Sequence, residues 1–116
     1  MEKDCIFCKI SCGEVDSNFI FDGKNFFVIE DVSPVSVGHC LIVSKEHYPT
    51  ILDLPKELGE ELIEMIKNQA NRLIKEELAD GVKIVQNNFE ASGQSVNHFH
   101  VHLIPEKKGV VREKRV

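Results

Sequence analysis

The sequence predicts an α+β fold, an antiparallel sheet of about five strands with one long and one short helix. Three observations carry this. Residues 96–104, "VNHFHVHLI", alternate between two kinds of side chain, as in a strand whose two faces meet different surroundings. Two runs rich in β-formers, 19–21 and 26–30, flank "DGKN", which reads as a hairpin turn. Residues 58–74 repeat apolar positions at spacings of three and four, as in a helix with one buried side.

In chain order, "CIFCKISC" (5–12) makes a short helix that turns Ile6, Ile10 and Phe7 inward. The hairpin follows. The loop "DVSPVSVG" is punctuated by Pro34 and Gly38 and leads into a third strand, "HCLIVS" (39–44). The long helix comes after Pro49, with Leu58, Leu62, Met65, Ile66, Ala70, Leu73 and Ile74 on its inner side. Pro55 is tolerated in its first turn, Glu57, Glu60 and Glu61 lie near its positive end, and Gly81 supplies a left-handed stop. "VKIVQN" (82–87) is a fourth strand, "NFEASGQS" a glycine-containing loop, and 96–104 the fifth strand.

With 116 residues the chain is expected to form a single domain, 1–116. Its composition, 42% hydrophobic and 28% charged, is that of a globular protein, and no apolar run approaches the roughly 20 residues of a membrane helix. The start, "MEKDCIFCKI", has charges and cysteines where a secretory signal has an apolar core, so a cytoplasmic location is expected. A net charge of -5 argues against extended nucleic acid as a partner and leaves small anions open. The basic cluster Lys107, Lys108, Arg112, Lys114 and Arg115 reads as a solvated tail.

In the fifth strand His98, His100 and His102 share one face, while Phe99, Val101 and Leu103 share the other. Hydrogen bonding readily explains one such histidine; it is a poor explanation for three in a row. Neutral imidazole ligates metals, and it attacks electrophilic phosphorus or carbon because a pKa of about 6.5 leaves the free base available. Same-face neighbours stand roughly 6.5–7 Å apart, too far for three on one small ion, so divided labour is expected. Cys5-x-x-Cys8 is half of a zinc site, whose other two ligands must come from among His39, His47 and the three strand histidines. Inert thiols and a redox pair are the alternatives. Ahead of the strand, Gly93 lets backbone N–H groups approach an anion and Ser95 adds a hydroxyl. Asp31, opening the Pro34 loop, is a turn-former or an acceptor for ligand hydroxyls.

Together these residues resemble the histidine triad (HIT) superfamily, whose signature His-φ-His-φ-His-φ-φ is matched throughout by "HFHVHLI". The likeness runs from "CIFCKI" through "DVSPVSVGH" and "SKEHY" to "NNFEASGQSVNHFHVHLIP", and is greatest to the short Hint-like branch. It implies the HIT α+β fold and a homodimer with one continuous sheet across its subunits. It also implies a purine nucleotide hydrolase or nucleotidyl transferase, cleaving at the α-phosphate of a nucleoside phosphoramidate or related conjugate through a nucleotidyl intermediate on His100. Zinc, as a structural cofactor, would take Cys5, Cys8, His47 and His98. Asp31 would bind ribose; Phe7, Ile10, Val15, Ile29 and Val32 would surround the base; Asn87, Gly93, Gln94, Ser95, His100 and His102 would surround the phosphate. Ser95 and His102 would assist catalysis, and His39 matches a pocket-lining histidine.

The sequence departs from the family pattern at Val37, where many relatives carry proline, and at Glu106, where several carry arginine. The second removes a positive charge near the phosphate and leaves the leaving group open. Three other functions compete: a nucleotide-binding regulatory module with incidental catalysis, a dinucleoside polyphosphate hydrolase, and a metal or redox protein without a nucleotide site. Cys12 and Cys40 receive no role.

Overall fold

The computed structural model describes residues 4–110; Arg112, Lys114 and Arg115 of the basic cluster lie outside them. The elements are α1 (Ile6–Ser11), β1 (Phe19–Asp22), β2 (Phe26–Glu30), β3 (Cys40–Ser44), α2 (Gly59–Lys75, after a 3-10 turn at Lys56–Leu58), β4 (Gly81–Val85) and β5 (His100–Glu106). The strands form one antiparallel sheet in the order β1-β2-β3-β5-β4. The expected α+β architecture is therefore present.

Both faces of the sheet centre are covered, which is why β2 and β3 read as continuous apolar runs. On one face Phe26, Val28, Cys40, Ile42, Phe99, Val101 and Leu103 pack with Leu62, Met65 and Leu73 of α2. On the other, Phe27, Ile29, Leu41 and Val43 pack with Phe7 and Ile10 of α1. The hairpin is fastened to α2 through Asn25, whose backbone and side-chain N–H groups donate to the Glu61 carboxylate at 2.9 and 2.8 Å. Gly23 is required there: a Cβ would lie 2.7 Å from Met65 Cε and 2.8 Å from the Phe26 carbonyl oxygen.

Four local expectations are corrected. Ile6 and Ile74, read as inward-facing, are 42% and 49% exposed; α1 buries Cys8 with Phe7 and Ile10, and α2 buries Leu62, Met65, Gln69 and Leu73. Gly81 does not stop α2. It opens β4, and Glu77 takes the left-handed position at φ 60°. The Leu78 N–H donates to the Leu73 carbonyl (3.0 Å) and the Glu77 N–H to that of Ile74 (3.1 Å), a Schellman ending built without glycine. β4 stops at Val85 rather than residue 87. β5 begins at His100, not residue 96, because the preceding backbone is diverted: the Phe99 N–H donates to the Tyr48 carbonyl at 2.6 Å, and the His98 N–H turns back to that of Val96 at 2.8 Å. The alternation survives the diversion, since Phe99 still joins the α2 face.

Candidate functional site

The face of the sheet opposite α2 carries two clusters of side chains joined by His100. In the first, α1 brings Cys5 and Cys8 against His98 and His47. Cys5 Sγ lies 3.2 Å from His98 Nδ1, Cys8 Sγ 3.3 Å from His47 Nδ1 and 3.6 Å from His98 Nδ1, and the two Nδ1 atoms are 3.2 Å apart. Donors around a tetrahedral ion with metal–sulfur and metal–nitrogen bonds of about 2.3 and 2.0–2.1 Å would stand roughly 3.3–3.8 Å apart. The four side chains thus fit a metal ion. His98 is prepared for it: its Nε2–H donates to the Ser44 carbonyl at 2.7 Å, leaving the Nδ1 lone pair to the cluster. Burial lowers the His98 pKa to about 4, keeping the ring neutral at pH 7.

His100 is 5% exposed, and its Nδ1–H donates to the His98 carbonyl at 2.7 Å. The proton is therefore on Nδ1 and the lone pair on Nε2. Phe7 meets the His98 and His100 rings edge-on, with centroids 5.6 and 5.1 Å away. Burial lowers the His100 pKa, opposed by its bond to the His98 carbonyl and by the Asp31 charge.

The second cluster is Asp31, His39 and His102. His39 Nε2 lies 3.0 Å from His102 Nδ1 and 3.3 Å from Asp31 Oδ2, while Asp31 Oδ2 is 3.8 Å from His102 Nδ1. Burial lowers the His102 pKa to about 4, helped by the neighbouring His100 and His39. Of these contacts, the 3.0 Å approach of His39 to His102 is at hydrogen-bonding distance, and the 3.8 Å one is not.

The remaining expected residues divide by location. Ile10 and Ile29 are buried in the apolar layer with Phe7, and Val15 packs on it. Val32 is 95% exposed and borders a cleft of about 530 Å³ with Asp16, Ser17, Asn18, Glu30 and Asp31. Gly93 is left-handed (φ 98°), and a Cβ there would lie 3.9 Å from Asn87 Nδ2. Gln94 turns its side chain to the loop: Oε1 accepts from the Phe89 N–H and Nε2 donates to the Pro49 carbonyl, both at 2.6 Å. Its amide is thus engaged in bracing the loop. Ser95 is exposed, beside Cys5, His47 and Asn97 in a second cleft of about 370 Å³.

Two participants escaped the sequence reading. Ser44, the polar end of an apolar strand, was a visible signal for the carbonyl that orients His98. The Val35 N–H, which donates to His39 Nδ1 at 3.1 Å, is a backbone group, so only the fold reveals it.

The HIT domain family model matches residues 12–109. The chain belongs to the HIT family. It is 34% identical over 114 residues to an adenosine 5'-monophosphoramidase of Saccharomyces cerevisiae, covering 96% of this chain and 70% of that protein. It is 33% identical over 108 residues to an adenylylsulfatase of Arabidopsis thaliana, covering 93% of this chain but only 55%, about half, of the plant protein. Among solved structures, a zinc-bound histidine triad family protein from Mycobacterium smegmatis superposes with a TM-score of 0.86 at 31% identity, covering 91% of this chain and 77% of that one. The HIT assignment agrees with the resemblance read from "HFHVHLI".

Proposed function

We propose that this HIT protein is a purine nucleotide hydrolase or nucleotidyl transferase that uses His100 as its nucleophile. One observation carries the reading: the His98 carbonyl holds the proton on His100 Nδ1, so a neutral, buried imidazole keeps its Nε2 lone pair for attack. In the first step Nε2 forms a bond to the α-phosphorus while the bond to the amine or other leaving group breaks, a proton reaching the departing atom from the donors near Ser95 and His102, and a nucleotidyl-histidine results. Water then breaks the P–N bond and releases the nucleoside monophosphate. Charge developing on the phosphoryl oxygens is met by His102, the Ser95 hydroxyl and N–H groups around Gly93. Asn87 and Gln94 border or brace that loop. Asp31 and Val32 line the cleft assigned to ribose and base, and Phe7, Ile10, Val15 and Ile29 form the apolar layer beside it. The relatives named as a phosphoramidase and an adenylylsulfatase support a phosphoramidate or mixed anhydride as substrate.

Zinc is the ion that best suits two thiolates and two imidazoles in a closed tetrahedron, and its contribution would be structural, tying α1 to the segment that leads into β5. A single domain working as a cytoplasmic homodimer completes the reading. The test is His100→Ala assayed on adenosine 5'-phosphoramidate. The variant is expected to melt like the parent and to keep its zinc, while release of AMP falls by at least about 10³-fold. Unchanged turnover in a folded, zinc-loaded variant would eliminate His100 as nucleophile.

A further inference from the structure

The resemblance makes His39 a pocket-lining residue, yet its contacts run to protein groups. The ring is 3% exposed. Its Nδ1 accepts from the Val35 N–H at 3.1 Å, so in the neutral ring the proton resides on Nε2. That Nε2–H lies 3.0 Å from His102 Nδ1 and 3.3 Å from Asp31 Oδ2. A proton on His102 Nδ1 would set two N–H groups against each other at the shorter distance. The carboxylate oxygen, 3.8 Å from that nitrogen, is too distant to accept it well. His102 must then carry its proton on Nε2. The loop from Asp31 to His39 holds this arrangement in place, because the Asp31 N–H donates to the His39 carbonyl at 3.1 Å and the Ser33 N–H to Asp31 Oδ1 at 2.8 Å.

We propose that His39 is a positioning residue: by donating to His102 Nδ1 it fixes the tautomer in which His102 offers an Nε2–H to the phosphoryl group beside His100. The role rests on the proposed phosphoryl chemistry of His100 and deepens it. The chain of donors runs from the Val35 N–H to His39, from His39 to His102, and from His102 to the substrate oxygen. His39 itself does not touch the nucleotide. Asp31 shares the His39 proton and orients the ring.

The test is a two-bond 1H–15N correlation spectrum of the zinc-loaded protein labelled at histidine nitrogens, paired with steady-state kinetics on adenosine 5'-phosphoramidate. The wild-type spectrum should show His102 as the Nε2–H tautomer. In His39→Leu the signal should move to Nδ1–H or a mixture, with kcat down by about 10²-fold and KM within about twofold, as for loss of one transition-state donor. His39→Gln, whose amide can donate in the same direction, should restore both the tautomer and most of kcat. A wild-type Nδ1–H tautomer, or an unchanged tautomer in folded His39→Leu, would overturn the proposal. The spectrum is independent of turnover: a wild-type protein that shows the Nε2–H tautomer but hydrolyses no nucleotide conjugate would refute the phosphoryl reaction and leave the positioning of His102 standing.

Discussion

Single residues in this protein are held by backbone groups at the positions that matter most. Ser44 and His98 lend carbonyls to His98 and His100, and Val35 lends an N–H to His39. Side-chain identity decides which atoms are present, and main-chain geometry decides which of them carry protons. Phe89 shows the reverse case, a side chain at odds with its backbone. At φ 70° and ψ 154° it occupies a region that is nearly glycine-only, and its ring is 57% exposed, so burial repays little of the strain. Its N–H is held by the Gln94 side chain. Phe89→Gly should therefore raise stability by about 1 kcal/mol, the relieved strain exceeding the extra chain entropy of glycine. Urea unfolding measures it, and a loss of stability of that size would show that the ring contributes more packing than its exposure indicates.

Elements were legible in proportion to their periodicity. The histidine row and the apolar stripe of α2 could be read because spacing alone states which side chains share a face. The ends of elements could not. Nothing in "HCLIVS" or "VNHFHVHLI" reveals that Tyr48 would take the Phe99 N–H and delay β5 to His100. Gly81 was the natural candidate for the end of α2, but the chain turns earlier, at Glu77, where Leu78 can fold back over Leu73. Glu77→Gly is accordingly expected to stabilise the fold by about 0.5–1 kcal/mol, since a left-handed L-residue costs more than glycine loses in entropy. A thermal melt beside that of Glu77→Ala checks it, because alanine keeps the Cβ and should give no gain. One cluster was likewise legible: Cys5, Cys8, His47 and His98 converge closely enough that they could hold a metal ion. The His39 to His102 contact, 63 residues apart in sequence, required the β3–β5 pairing that no local pattern encodes.

At the scale of the whole molecule, the sheet ends in two edge strands, β1 and β4, and the β4 edge lies beside α2. Among the described residues β4 pairs only with β5, and apolar side chains remain outside near it: Ile84 is 53% exposed, and Ile63 and Ile74 of α2 are 56% and 49% exposed. An uncovered edge bearing isoleucine is the kind of surface that a second strand covers. The proposed homodimer would use it. Light scattering on the wild-type chain should give twice the monomer mass, and Ile84→Lys should shift it toward the monomer while preserving the far-UV spectrum. A wild-type monomer at micromolar concentration would remove the homodimer from the reading. Among the described residues no helix is long and apolar enough to cross a membrane.

The two-face division of residues 98–103, where the chain enters β5, also bears on how such a chain can change over evolutionary time. With the helix core on Phe99, Val101 and Leu103 and the imidazoles on His98, His100 and His102, inserting or deleting one residue inside the segment would exchange the two sets downstream of the change. Histidines would enter the apolar interior and hydrocarbon would take the place of the imidazole row. Substitution is therefore the permitted route of divergence within this segment, whereas length variation is expected in exposed connections between elements, where no alternation has to be kept.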